Sequence, residues 1–178
     1  MSLYRLLYIW VEGPDDDEFF KSIVLPRLEG YSEPPHILRY AGMTTEYVQR
    51  FLSSITSQPH ADYIFIADLD NAPCVTSKKD TLVRRFGSLD QERIIVVKKE
   101  IEGWYYAGLD AATCVQLGLR HVRDTEGMTK EQFHARRPSQ FRSGLVYMGE
   151  VLRRYNAETA CAQNQSFAYF VKKYGLVR

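Results

Sequence analysis

Long apolar runs are missing from this sequence, and none reaches the length of a membrane span. The N-terminus also lacks the basic, apolar and small-residue sections that make up a secretory leader. These absences set the expectation of a cytoplasmic chain with no membrane partner. Cysteine is scarce: Cys74, Cys114 and Cys161 are odd in number, widely spaced and never in a CxxC pair. That pattern argues against a disulfide framework and against a structural zinc site. The four histidines, His36, His60, His121 and His134, show no metal-ligand spacing. Low-complexity tracts and internal repeats are absent, and 178 residues at 45% hydrophobic content can bury one proper core. Net charge is nearly absent too, at +1. That balance conceals an asymmetry, because residues 1–118 hold 12 Lys/Arg against 17 Asp/Glu, and residues 119–178 hold 11 against 5.

What the sequence does contain is a strand signal tied repeatedly to carboxylates. The apolar, β-prone run from Leu3 to Val11 stops at Glu12-Gly13-Pro14, as a buried strand ended by a turn would. From Asp15 to Leu28 the apolar residues Phe19, Phe20, Ile23, Val24 and Leu28 follow helical spacing, with acidic residues in the first turn. Glu12 therefore sits at the carboxyl end of a strand, the edge at which open α/β sheets bind ligands, and Asp16 falls in the following helical turn. A second run, residues 62–67, ends in Asp68-Leu69-Asp70, and a third, residues 93–97, leads into Glu100-Ile101-Glu102. Carboxylates meeting at one sheet edge repel one another unless cations neutralise them, and hard oxygen ligands favour Mg²⁺ or Mn²⁺.

The order of signals through residue 109 reads β-α-β-α-β-α-β-α, which predicts a mostly parallel central sheet flanked by helices. Thr44 or Thr45 is placed to cap a helix carrying Tyr47, Val48, Phe51, Leu52 and Ile55. Trp104, Tyr105 and Tyr106 read as core. Beyond residue 110 the pattern is helical, with Thr129-Lys-Glu-Gln132 in capping-box form. Two stripes follow, one at Leu145, Met148, Leu152 and Tyr155 and one at Phe167, Phe170, Val171 and Tyr174. About 60 residues seldom build a stable core alone, so these helices are expected to pack on the sheet within a single domain.

Three segments together, V-E-G-P-D-D-D-E-F-F, A-D-L-D and E-I-E-G-W-Y, resemble the motifs of a TOPRIM domain, closest to the branch of the overcoming-lysogenization-defect (OLD) nucleases. The resemblance covers residues 3–108 and implies a compact Rossmann-like core there, while the helical pattern over 109–178 reads as a C-terminal extension packed on it. It aligns Glu12 with the family's first glutamate, Asp16 with the acid four positions on, Asp68 and Asp70 with its DxD, and Glu102 with the late glutamate. Those five residues are thereby implied as metal ligands, with Glu12, Asp68, Asp70 and Glu102 as the catalytic set. An assisting lysine is implied as well, for which Lys98, Lys99 and Lys130 are the candidates. The sequence departs from the branch in two ways: it has no ATPase motif, and Glu100 stands where a serine is usual.

The ligands suit phosphodiester cleavage, in which two divalent ions roughly 4 Å apart activate a water and hold the leaving oxygen. The functional expectation is a Mg²⁺- or Mn²⁺-dependent nuclease acting on DNA or RNA as part of a defence or mobile-element system. In the basic half, Arg136, Arg137, Arg142, Arg153 and Arg154 form the candidate phosphate-contacting surface. The alternative is a non-catalytic module of the same fold that binds nucleic acid or a partner ATPase.

Overall fold

The computed structural model describes residues 5–176, so Leu3 and Tyr4, expected to open the first strand, lie outside the described residues. The chain divides between Val96 and Val97 into two compact units. This boundary precedes the position near 108 expected for the end of the core, and Glu102 consequently belongs to the second unit.

The first unit is built on four strands: β1 (Leu6–Val11), β2 (His36–Arg39), β3 (Ala61–Asp68) and β4 (Ile94–Val97). They form one all-parallel sheet in the order β2-β1-β3-β4, flanked by helices and consistent with a Rossmann-like arrangement. β1 runs in register with β2 from Tyr8 opposite His36 to Val11 opposite Arg39, and with β3 from Leu6 opposite Ala61 to Trp10 opposite Phe65. Strands covered on both faces need continuous apolar sequence rather than alternation. That is what Ile-Trp-Val in β1, Ile-Phe-Ile-Ala in β3 and Ile-Ile-Val-Val in β4 supply, and these residues are buried.

The three connecting helices are α1 (Pro14–Phe19), α2 (Thr45–Thr56) and α3 (Val75–Phe86). The first crossover moves to one side of β1 and the next two move to the other side. Right-handed crossovers therefore place α1 on one face and α2 with α3 on the opposite face. A core of the unit lies under that second pair, where Trp10, Tyr63 and Phe65 pack with Val48, Leu52 and Ile55 of α2 and with Leu82 and Phe86 of α3. Phe65 stacks on Tyr40 at 4.5 Å between ring centroids and meets Phe86 at 5.5 Å. Thr44 is the residue that caps α2, its hydroxyl accepting from the Tyr47 amide at 3.2 Å. Tyr47, by contrast, is 45% exposed and falls outside the buried stripe.

The helix expected over 15–28 is less regular than its periodicity implied. After Phe19 it widens to a π turn over Phe20–Val24 and tightens to a 3-10 turn over Leu25–Arg27. The wider turn keeps Phe19 and Phe20 on the same side as Ile23 and Val24, and all four are buried.

The second unit consists of α4 (Glu102–Ala107), α5 (Ala111–Leu117), α6 (Lys130–Ala135), α7 (Gly144–Arg153), α8 (Ala157–Gln163) and α9 (Gln165–Tyr174). It has its own aromatic core: Trp104 lies 5.2 Å from Phe167 and 5.3 Å from Phe170, and Phe133 stacks on Tyr147 at 4.8 Å. Trp104, Tyr105 and Tyr106 are fully buried, as their core reading required. The capping box at α6 is present, Thr129 accepting from the Gln132 amide and Gln132 accepting in return from the Thr129 amide. The stripe expected on α7 is corrected. Its buried side is Tyr147, Met148, Val151 and Leu152, whereas Leu145 is 80% exposed and Tyr155 lies past the helix end. Met148 and Leu152 of the expected stripe are buried, and packing turns the rest of the buried side toward Tyr147 and Val151.

Candidate metal centre

The order β2-β1-β3-β4 makes the gap between β1 and β3 a topological switch point, because the connections leaving β1 and leaving β3 run to opposite sides. In open parallel sheets, ligands bind at the carboxyl edge of such a gap. Glu12 immediately follows β1 and Asp68 closes β3, so two of the expected ligands stand on the two sides of this crevice. The end of β1 is pinned by the residues after β2, since the Tyr40 amide donates to Val11 at 2.9 Å and the Ala41 amide to Glu12 at 3.3 Å.

Asp16 arrives through the turn that starts α1. Its carboxylate accepts from the Gly13 amide at 3.0 Å, satisfying one of the orphan donors of the helix start. Only 5% of its surface is exposed. Burial is the largest influence on its carboxyl, outweighing the Gly13 hydrogen bond, and with the Glu12 and Asp15 charges it pushes the pKa up to about 7. Asp70 sits two residues beyond Asp68 with a left-handed backbone, φ 51°, a conformation that aspartate tolerates better than most residues. It pairs with Lys78 at 2.6 Å, near the start of α3. The other acids of the first helical turn do different work: Asp17 pairs with Lys21 at 2.9 Å, and Glu18 accepts from Ser22 at 3.2 Å.

Tyr40, which the sequence did not single out, reports how these groups converge. Its phenol is 4% exposed and its pKa is held well above the ordinary value. Burial is the main cause, followed by the charges of Glu12, Asp16, Asp68 and Asp70. The charges of these four candidate ligands are thus all felt at one buried phenol beside the end of β2. The signal that could have found Tyr40 is its place directly after a strand whose carboxyl end shares this edge. Among the described residues, however, no three of the four acids bring ligand atoms to within 4.8 Å of one another.

The chemistry of the donor set fits a hard divalent cation. Every group is a carboxylate oxygen. Glu12 Oε2 and Asp16 Oδ1 are in addition buried with no hydrogen-bond partner among the described residues, an arrangement that a bound cation would satisfy.

Glu102 lies in the second unit at the start of α4 and is 2% exposed. Lys130 Nζ stands 3.9 Å from Glu102 Oε1, and a ring nitrogen of His134 lies within 4.8 Å of a Glu102 oxygen. The structure thus brings a histidine to the late glutamate where the sequence offered no ligand spacing, because a turn of α6 separates Lys130 from His134. Lys98, another candidate for the assisting lysine, is instead paired with Glu126 at 2.7 Å. Glu100, the departure from the family pattern, accepts a hydrogen bond from the Lys130 amide in the first turn of α6. Its charge complements the positive end of that helix.

The arginines divide into three situations. Arg142 is exposed. Arg136 lies over the Tyr106 ring at 5.5 Å, and Arg137 donates to the Phe141 carbonyl. Arg153 and Arg154 are both paired with Glu150, and Arg154 also donates to Gln116 at 2.9 Å. Among the described residues no helix is long and apolar enough to cross a membrane. Compared with protein-family models, curated proteins and solved structures, the chain matches none.

Proposed function

We propose that this chain is a divalent-metal-dependent nuclease of the TOPRIM type, akin to the OLD-like branch. The observation that carries the reading is the placement of Glu12 and Asp68 on the two sides of a sheet switch point, with the buried Asp16 in the turn that follows Glu12. Mg²⁺ or Mn²⁺ held by these carboxylates would supply charge neutralisation at phosphorus and an acidified water. Glu12 and Asp68 would bind it from the two sides of the crevice; Glu102, implied as a metal ligand by the sequence resemblance, keeps that role as a proposal within the second unit. Asp16, with a pKa of about 7, can hold or release a proton near neutrality. Tyr40 stays protonated and so adds no charge to a crowded site.

The experiment is direct: purified protein with supercoiled plasmid, single-stranded DNA or RNA, in Mg²⁺, Mn²⁺ or excess chelator. The expected result is cleavage of at least one substrate that is lost in chelator. Binding without cleavage in either metal would reject the catalytic reading and favour the module that binds nucleic acid or a partner ATPase.

Nucleic-acid binding carries its own expected result. Replacing Arg137 and Arg142 with alanine should flatten the dependence of log affinity on log salt. The change should be about 0.7–0.9 for each arginine that contacts a phosphate. The loss should be nearly uniform across sequences, because phosphate contacts carry no sequence information. Arg153 and Arg154, already paired with Glu150, should contribute less to the slope. An unchanged slope in the double variant would assign these arginines to a solvated face.

A further inference from the structure

We propose that Ser166, with Asn164 and Glu126, is a clamp that positions the loop carrying Glu100 and Glu102. The inference rests on the proposed metal-holding role of Glu102, and it places the control of that residue in the start of α9. The loop runs from Lys98 at the end of β4 to Trp104 in α4. Its two ends bind the same hydroxyl: the Lys98 amide donates to Ser166 Oγ at 3.3 Å, and Trp104 Nε1 donates to it at 2.9 Å. Ser166 Oγ then donates to Asn164 Oδ1 at 2.8 Å, so its one proton and both acceptor sites are in use.

The clamp is itself anchored. Asn164, 1% exposed, accepts from the Phe167 amide at 3.0 Å and donates to Thr125 Oγ1 at 3.0 Å. Glu126 accepts from the Ser166 amide at 3.0 Å and pairs with Lys98 Nζ at 2.7 Å, which ties the loop's first side chain to the same centre. On the far side, a Cβ added to Gly103 would lie 2.7 Å from the Thr125 carbonyl oxygen. The first turn of α4 therefore passes this backbone at a distance only glycine permits.

Between the two anchored ends the backbone is strained. Lys99 has φ 65°, a left-handed conformation that residues with a Cβ adopt only when their surroundings impose it. A loop pulled into this shape by bonds at both ends would relax if the bonds were cut, and Glu102 would move with it. Ser166 is thus a positioning residue, acting through the loop rather than on substrate or metal.

The test compares the native chain with Ser166→Ala, with Ser166→Ala/Lys99→Gly, and with the milder Glu126→Gln. In Ser166→Ala, amide exchange should rise selectively over residues 98–103. The Mn²⁺ concentration giving half-maximal cleavage should rise roughly tenfold or more, the range expected when a partner of a metal-binding group is removed. The rate at saturating Mn²⁺ should change less than this midpoint. Glycine at 99 accepts the left-handed conformation without penalty, so the double variant should recover part of the Mn²⁺ midpoint. A merely structural role predicts a lower melting temperature with the midpoint unmoved, or no recovery by glycine, and either result overturns the clamp. If Ser166→Ala does not fold, Glu126→Gln decides the matter through the same selective exchange, and unchanged exchange there overturns it. If the native chain cleaves nothing, the nuclease reading fails by itself. Exchange over 98–103 still supports the clamp when it rises selectively, and overturns it when it is uniform or unchanged.

Discussion

Asp68→Ala should reduce metal-dependent cleavage to the level seen in excess chelator, and Glu12→Ala should do the same. Asp68 closes β3 and Glu12 follows β1, so each removes one bank of the crevice at the switch point. The remaining acids cannot compensate, because Asp16 has only one carboxylate in a turn already committed to the Gly13 amide, and Asp70 is drawn to Lys78. Neither substitution should unfold the protein. Glu12 is one of the charges that raise the Asp16 pKa, and removing it relieves that repulsion. Circular dichroism and urea unfolding in chelator should therefore show native structure with equal or slightly higher stability. Cleavage that survives both substitutions would rule out this centre.

Stability without metal should fall as pH rises from about 4 to about 7, and Asp16 should be the main cause. Its carboxyl titrates at 3.8 when unfolded and about 7 when folded. Below the lower value both states are protonated and no penalty exists. Through the interval the folded state holds a proton that the unfolded state has already lost. Above the upper value both are ionised, and the buried charge costs the fold an amount of the order of 4 kcal/mol. Asp16→Asn keeps an oxygen that can accept from the Gly13 amide and removes the ionisation. The variant should match the native protein near pH 4 and exceed it by a few kcal/mol at pH 8. Saturating Mg²⁺ should narrow the difference by favouring the ionised form, with release of a proton on binding near neutral pH. Urea unfolding of both proteins across this range measures the gap, and a gap independent of pH would mean that Asp16 is not the titrating group.

The sequence by itself determined the elements and their chemical endowment. Continuous apolar runs marked β1, β3 and β4 because strands buried on both faces leave no polar alternation to confuse the reading. Thr44 and the Thr129/Gln132 pair marked helix starts because capping satisfies donors within a few residues of the cap. The positions of Glu12 and Asp68 at strand ends were legible for the same reason, since each follows directly from where an apolar run stops. The irregular helix after Phe19 was not legible, nor was the exposure of Leu145 on α7, because spacing describes a helix without its neighbours. Helix α8 also went unmarked, its alanine-rich sequence offering no wide apolar stripe.

Only the tertiary structure decided which strand ends share a crevice. That required the order β2-β1-β3-β4, a pairing of residues some fifty positions apart that no local pattern encodes. The same long-range packing buried Asp16 and turned an ordinary acid into one that titrates near 7. It also set Tyr40 among four carboxylates and brought Lys130 and His134 to Glu102. Residue identity supplies a charge, but desolvation and the distance to other charges decide what that charge does, and both belong to the folded chain.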